Sequence, residues 1–322
     1  MNEKVSKKKY RRWIVIVVIF AILICCIGML KKKSSRTDAD LILTISEQGF
    51  EGHLYDAGEK EKVVITFSGS EGGSGASDTM AWYYKEHGIS ALGVTLFSGK
   101  ETGEYLDRIP LEYVENAIAW LKEQGYENIA VDGISKGSEY ALLAASMFPD
   151  ITCVVARVPS YFVSEGMIGR SGPSGTSCWA YQGQELSYVP YRIREFHAAG
   201  QFLAYHELNI LEYNTDKEIT PESLIPIEKI SGPVLLISTK ADTVWPSAEQ
   251  ADYIETYLQE NGFPYEVKHL QYEHVSHFAI PMRSNVWLLK LLFQSERSYP
   301  EECDAERSDL SEQAVEFIQN HW

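Results

Sequence analysis

Residues 132–139 read Asp-Gly-Ile-Ser-Lys-Gly-Ser-Glu, and this stretch decides the fold class. An apolar run at 129–131 precedes it, and a helix-forming stretch at 140–147 follows it. A serine between two glycines at such a strand-to-helix turn is typical of a nucleophile elbow. The crowded turn admits only small neighbours and projects the hydroxyl above the sheet. The pattern therefore predicts that Ser135 is a nucleophile.

Strand-like and helix-like segments alternate along the chain in the order that builds a mostly parallel sheet. Strands are expected at 41–45, 52–55, 63–67, 91–97, 129–131, 151–158, 234–238 and 265–270, the first two as a hairpin. Helices are expected at 78–87, 111–124, 140–147, 248–259 and 310–318. With the elbow, this order predicts an α/β-hydrolase fold over residues 41–322. The segment 159–224 is rich in tyrosine and lacks sheet periodicity, so we expect it to form a cap that shapes the substrate pocket.

The same fold predicts an acid after a late strand and a histidine after the next one. Asp242 follows the predicted strand 234–238 by four residues and is the candidate acid. Two histidines follow the last strand, His274 and His277. His277 is favoured as the base because it directly precedes an apolar segment that suits a loop folded over the site. His274 is closer to the strand end, and the choice between the two stays open.

A carbonyl substrate also needs hydrogen-bond donors for the oxyanion that forms on attack. One donor is expected to be the backbone amide of Lys136, which directly follows the nucleophile. The second is expected from the glycine-rich loop 68–73, after the strand 63–67. We assign it to Ser70, with Glu71 as the near alternative.

The N-terminus predicts a membrane anchor ahead of the catalytic domain. Residues 13–30 are eighteen uncharged, mostly apolar residues, which as a helix would span about 27 Å, close to the thickness of a bilayer core. A basic segment, 1–12, precedes them, and a polar linker, 31–40, follows. The larger excess of positive charge before the span favours a single-pass protein of the cell membrane, with a cytoplasmic N-terminus and an extracytoplasmic domain. A cleaved signal peptide is the alternative, although no small-residue cleavage site follows the span.

Charge and cysteine content exclude several other classes of protein. Residues 37–322 carry 19 basic and 44 acidic side chains, a formal charge of −25, which disfavours nucleic acid as a partner. The five cysteines are too scattered for a disulfide framework or a zinc site, so we expect neither a metal nor another cofactor. Cys178 and Cys303 have polar neighbours in sequence and could pair outside the cell, a point that the sequence leaves open.

Three segments carry a resemblance to a known family: Gly-Ile-Ser-Lys-Gly-Ser-Glu at 133–139, Gly-Ser-Glu-Gly-Gly at 69–73, and Ile-Pro-Ile-Glu-Lys-Ile-Ser-Gly-Pro at 225–233. They resemble the C-terminal domain of acyl-CoA thioester hydrolases and bile acid-CoA:amino acid N-acyltransferases. The resemblance runs from about residue 63 to the C-terminus, and it implies the same nucleophile, acid and base as the order of motifs. It also implies hydrolysis rather than transfer, because in that family a serine nucleophile goes with hydrolysis and a cysteine with transfer to an amino acid.

The chain departs from the family in two respects, which leave its substrate class undetermined. Only about 25 residues separate the linker from the strand at 63–67, too few for the β-sandwich that precedes this domain in larger members. An outward-facing domain would also not meet cytosolic coenzyme A thioesters. The leading expectation is therefore a serine hydrolase of the acyl-CoA thioesterase type. A membrane-anchored carboxylesterase or lipase acting on oxygen esters, and an anchored binding module without turnover, remain as alternatives.

Overall fold

A mostly parallel sheet of eight strands runs through the computed structural model, which describes residues 38–169, 172–193, 195, 197–214, 218–282 and 286–321. The described strands are β1 (Leu41–Leu43), β2 (Glu51–Tyr55), β3 (Lys62–Phe67), β4 (Ser90–Thr95), β5 (Ile109–Pro110), β6 (Asn128–Ile134), β7 (Ile151–Arg157), β8 (Glu165–Met167), β9 (Pro173–Ser177), β10 (Trp179–Tyr181), β11 (Gln184–Glu185), β12 (Val234–Thr239) and β13 (Val267–Tyr272). The main sheet has the order β1-β2-β4-β3-β6-β7-β12-β13. Its β1–β2 and β2–β4 pairs are antiparallel, and the other five are parallel.

Helices connect these strands and cover the sheet. They are α1 (Ile45–Gln48), α2 (Gly75–Glu86), α3 (Glu112–Glu123), α4 (Lys136–Met147), α5 (Ala198–Tyr205), α6 (Leu211–Asn214), α7 (Ser247–Glu260), α8 (Trp287–Leu292), α9 (Gln294–Ser298) and α10 (Pro300–Asn320), with 3₁₀ turns at Pro221–Ser223 and Ile227–Lys229. The α/β-hydrolase architecture predicted from the sequence is confirmed. Most predicted elements have ends shifted by a few residues, but the last helix begins at Pro300, well before the predicted stretch 310–318. The opening hairpin is present as β1 and β2, with the single turn of α1 between them.

The central strands bury both of their faces, as parallel strands between two helical layers must. Along β3, Val63 and Ile65 pack into one hydrophobic cluster, while Val64 between them packs into the other. The strand β12 alternates in the same way, with Leu236 in the first cluster and Leu235 in the second. Because both faces are apolar, the carboxyl ends of the strands are where polar chemistry can be placed.

The segment 159–224, predicted as a cap, contains short strands that the sequence did not indicate. The strands β8 and β9 form a two-stranded sheet, and β10 and β11 join β5 in a three-stranded one. These strands have two to five residues each, too few to display a period of two in the sequence. Its aromatic residue Trp179 is completely buried and belongs to the main hydrophobic cluster, so this side chain packs the segment onto the domain. The assignment of the segment as a cap over the substrate stays a prediction.

The predicted anchor, 13–30, and its flanking segments lie outside the described residues, apart from the end of the linker. Among the residues that are described, no helix has the length and apolar character needed to cross a membrane. The placement of the chain relative to a membrane therefore stays a prediction.

The suggested pairing of Cys178 with Cys303 is wrong. Both cysteines are completely buried, and they do not form a disulfide with each other. The Cys178 thiol donates to the Glu165 carbonyl at 3.2 Å, and the Cys303 thiol donates to the His274 carbonyl at 3.1 Å. Burial, aided by the nearby Glu296, raises the pKa of Cys303 to about 12, so the reactive thiolate is disfavoured. Polar neighbours in sequence did not indicate exposure, because the chain turns these thiols into the core.

Candidate active site

Ser135 lies on a strained turn between β6 and α4. Its backbone has φ 57° and ψ −121°, outside the regions that L-residues normally occupy. The flanking glycines are required by close packing: a Cβ on Gly133 would lie 2.1 Å from the Gly137 carbonyl oxygen, and one on Gly137 would lie 2.5 Å from the Phe67 carbonyl oxygen. The turn therefore has the backbone geometry that the sequence predicted for a nucleophile elbow, with the serine only 6% exposed.

The structure brings Ser135, His277 and Asp242 together in one hydrogen-bonded chain. His277 Nε2 lies 2.9 Å from Ser135 Oγ, and His277 Nδ1 lies 2.8 Å from Asp242 Oδ2. The second carboxylate oxygen of Asp242 accepts the amides of Val244 and Trp245, at 2.9 and 3.2 Å. These bonds fix the carboxylate beside Nδ1 of His277, while Nε2 of the same ring faces the serine hydroxyl, the geometry expected of an acid, a base and a nucleophile.

The other candidate base, His274, points to a different partner. Its Nδ1 lies 2.8 Å from a carboxylate oxygen of Glu306 on helix α10. The other oxygen of Glu306 accepts the amides of His274 and Val275, at 2.9 and 2.7 Å. His274 therefore helps to attach the loop to the C-terminal helix, while His277 is the histidine beside the serine.

Residues 274–279, which we call the histidine loop, have no regular secondary structure and are held by charged side chains. Glu296 on α9 accepts both the amide and the hydroxyl of Ser276, at 3.2 and 2.7 Å. Arg307 on α10 pairs with Glu296 and donates to the carbonyl of Phe278. Because Ser276 and Phe278 flank His277, this buried ion pair fixes the backbone on both sides of the imidazole.

A second buried ion pair joins the histidine loop to the elbow strand. Arg157, at the end of β7, pairs with Asp132 of β6 at 2.9 Å, and both side chains are essentially inaccessible. The guanidinium also donates to the carbonyl of Ala279 at 3.1 Å, and the carbonyl of Arg157 accepts the amide of Ser135 at 3.0 Å. The hydroxyl of Tyr84 donates to Asp132 at 2.7 Å, and burial next to that carboxylate holds the pKa of Tyr84 well above its usual range. One arginine thus contacts the segments that carry both the nucleophile and the base.

Lys136, the residue after the nucleophile, has two distinct features. As the first residue of α4, its amide has no acceptor within the helix, as an oxyanion donor requires. Its side chain is buried and pairs with Glu139 at 3.0 Å. Glu139 also accepts the indole of Trp179 and the amide of Ser164, both at 2.7 Å. This network ties the helix of the elbow to the segment 159–224.

The loop after β3 passes directly beside the nucleophile. A Cβ on Gly69 would lie 3.1 Å from the Cβ of Ser135, a tight contact that glycine avoids. The amide of Gly69 donates to Oε1 of Glu71 at 3.2 Å. Ser70, the predicted second donor, is exposed between these two residues, and its role as a donor stays a prediction.

One group of described side chains has the chemistry of metal ligands, and it lies outside the triad. Asp252 and Glu255, one turn apart on α7, lie 3.4 and 3.3 Å from Nδ1 of His269 on β13. The other ring nitrogen lies 2.7 Å from the hydroxyl of Ser238. The two carboxylates and the hydroxyl satisfy the imidazole by themselves, so this group is explained without a metal ion.

Sequence reasoning missed the ion pairs that hold the histidine loop. Asp132 was part of the elbow stretch, and Arg157 ends an otherwise apolar strand. A charged residue in a completely buried strand needs an opposite charge, which is a signal that the sequence did contain. Glu296, Glu306 and Arg307 gave no such signal, because they lie in polar segments where charged residues are ordinary surface residues.

Comparisons with solved structures agree with the fold. A solved puromycin-hydrolyzing peptidase of Mycobacterium tuberculosis superposes with a TM-score of 0.52 at 15% identity, covering 84% of this chain and 37% of that one. A solved esterase of Pyrococcus furiosus superposes with a TM-score of 0.51 at 15% identity, covering 86% of this chain and 94% of that one. At such identities these structures show the fold alone.

Sequence comparison gives the family. The peroxisomal succinyl-coenzyme A thioesterase of Mus musculus is 24% identical over 196 residues, which cover 59% of this chain and 43% of that protein. This chain therefore spans less than half the length of that relative. The profile of the BAAT / acyl-CoA thioester hydrolase C-terminal family matches residues 109–282, more than half of the chain and a range that includes the serine, the acid and the histidine. The chain belongs to the BAAT / acyl-CoA thioester hydrolase C-terminal family of the α/β-hydrolase superfamily.

Proposed function

We propose that this protein is a serine hydrolase of the acyl-CoA thioesterase type, with Ser135 as nucleophile, His277 as base and Asp242 as the acid that orients it. The observation that carries the proposal is the hydrogen-bonded chain from Asp242 through His277 to Ser135 on the strained elbow. The fold alone is compatible with many functions, but this side-chain geometry is the arrangement that activates a serine.

The proposed reaction has two acyl-transfer steps. Ser135 Oγ attacks the thioester carbonyl as its proton passes to His277 Nε2, and the amides of Lys136 and of the loop 68–73 stabilise the oxyanion. The intermediate collapses to an acyl-serine, and His277 returns the proton to the departing thiolate. Water then attacks the acyl-serine, giving its proton to His277, which passes it to Ser135 as the carboxylic acid leaves.

The experiment that tests the proposal is hydrolysis of a matched panel of acyl-CoA thioesters and p-nitrophenyl esters by the purified domain, with Ser135→Ala as the blank. Preferential, serine-dependent cleavage of the thioesters is expected. Serine-dependent cleavage of the oxygen esters alone would replace the thioesterase with a carboxylesterase or lipase. No cleavage of either class, together with no labelling by a fluorophosphonate probe, would leave an anchored binding module.

We also propose that residues 13–30 anchor the protein in the cell membrane, with the catalytic domain outside. The support is the apolar composition of this stretch and the excess of basic residues before it. Protease treatment of intact cells that express the full chain should digest the domain and leave a cytoplasmic control protein untouched. Protection of the domain until the cells are lysed would contradict the orientation.

A further inference from the structure

The Glu71 carboxylate lies on the loop that is expected to supply the second oxyanion donor. Its Oε1 accepts the amide of Gly69 at 3.2 Å. A Cβ on Gly69 would lie 2.8 Å from Glu71 Oε2 and 3.1 Å from the Cβ of Ser135. The carboxylate and the nucleophile therefore flank the same point of the loop.

This arrangement joins two features that are also found in an oxyanion hole: a backbone amide of the loop after β3, and a negatively charged oxygen that it binds. In the resting site, the oxygen bound by the Gly69 amide comes from the protein itself, from the Glu71 carboxylate. Although much of the Glu71 residue is accessible to solvent, desolvation of its carboxyl raises its pKa, while the amides and the neighbouring His277 act in the opposite direction. The carboxyl group binds the amide of Gly69, and a Cβ on that residue would lie 3.1 Å from the Cβ of Ser135, so the group lies close to Ser135.

We propose that the Glu71 carboxylate occupies the oxyanion hole of the resting enzyme and selects which ligands can replace it. This inference rests on the proposed function, because it assigns an additional residue to the same site. A neutral carbonyl oxygen can take the place of the carboxylate when Glu71 turns away. A free carboxylate, the product of hydrolysis, is repelled by the Glu71 charge nearby, so Glu71 lowers product inhibition and disfavours anionic inhibitors.

The first test is the rate at which a fluorophosphonate probe labels Ser135, since the phosphoryl oxygen of the probe needs the same donors. Glu71→Gln keeps the shape of the side chain and removes its charge, whereas Glu71→Ala empties the position. Both variants should label about tenfold faster than the wild type, the change that removing about 1.4 kcal/mol of competition produces. Exposed Glu104, on the loop before β5, provides the control variant Glu104→Gln, which should label at the wild-type rate.

The second test is inhibition by a simple carboxylate, hexanoate, measured with the best ester or thioester of the panel. The inhibition constant should fall about tenfold in Glu71→Gln and stay unchanged in Glu104→Gln. Unchanged labelling rates and unchanged inhibition in a folded Glu71→Gln protein would overturn this inference and leave the proposed function standing. Absence of any labelling of the wild type would instead overturn the proposed function itself.

Discussion

The nucleophile elbow and the histidine loop meet at the same hydrogen bond, but the chain positions them in opposite ways. The elbow is fixed by contacts among near neighbours, because Gly133 packs onto Gly137 and the hydroxyl of Ser138 donates to the carbonyl of Ser135. The histidine loop has no regular structure of its own. It depends on side chains from helices α9 and α10 and on Arg157, which is 122 residues away in the sequence from the carbonyl that it holds.

The two regions therefore differ in which residues determine their geometry. The geometry of the elbow is determined by its own short sequence, and that of the histidine loop by residues far away in the chain. A strained local turn needs small residues at fixed positions, and it therefore leaves a motif. A loop held by charged side chains from distant parts of the chain needs no particular residues around the histidine. No motif near the histidine therefore marks such a loop in the sequence. Mutations in the elbow should therefore act mainly on turnover, and mutations of the distant charged residues should act mainly on stability and on the position of His277.

The largest expected effect is on turnover, in the elbow. Ser135→Ala should lower kcat about 10⁴- to 10⁶-fold, because it removes the nucleophile. The free energy of unfolding should change by less than about 1 kcal/mol, since alanine keeps the backbone and loses one hydroxyl. Steady-state kinetics and urea unfolding of the same preparation measure both. Residual turnover within tenfold of the wild type would contradict the role of the serine.

The second effect is on stability, at the ion pair that joins the two regions. Asp132→Asn leaves the guanidinium of Arg157 buried without its counter-charge, and such a change costs about 3–5 kcal/mol. Urea unfolding should show this loss. The double variant Asp132→Asn, Arg157→Met should recover part of it, because neither side chain then carries an unpaired charge. A double variant whose loss of stability relative to the wild type equals the sum of the losses in Asp132→Asn and Arg157→Met would show that the two charges do not interact.

The geometry of the elbow, the parallel sheet and the family could be predicted from the sequence because each depends on local sterics or on chain order, whereas the catalytic role of Asp242 stays a prediction. The buried strands β3, β6 and β12 contain runs of apolar residues. The glycines at 133 and 137 avoid the clash with backbone atoms that a side chain would cause. The short strands of the segment 159–224 were missed because two to five residues do not show a period.

The choice between His274 and His277 depended on information that lies far away in the chain. Both histidines follow β13, and both have polar neighbours. What separates them is Glu306, which accepts the His274 side chain and two loop amides and so directs that ring to helix α10. The sequence left the pairing of Cys178 with Cys303 open for a related reason, because burial of a thiol is a property of the whole fold rather than of its neighbours in sequence.

The third effect is on positioning and should be smaller. Glu306→Gln weakens the hold of α10 on the histidine loop without touching the reacting groups. It should lower kcat about 10- to 100-fold, the range that a misplaced catalytic group produces, with KM changed much less. Exposed Glu302, one turn earlier on α10, supplies the control variant Glu302→Gln, which should retain wild-type kcat. Equal kcat in both variants would mean that the loop keeps its geometry without Glu306.

The smallest effect concerns pH and the same carboxylate. Burial alone would raise the pKa of Glu306, but the amides of Val275 and His274 and the His274 side chain outweigh it and lower that pKa below its ordinary value of 4.5. A folded pKa below the unfolded one means that the ionised carboxylate stabilises the native state above about pH 4.5 and that this contribution is lost as the pH falls through the lowered value. The difference in unfolding free energy between the wild type and Glu306→Gln should therefore be largest near neutral pH and shrink below pH 4.5. Urea unfolding of both proteins across this range measures it, and a difference that grew on acidification would show that the loop amides do not stabilise the charged form.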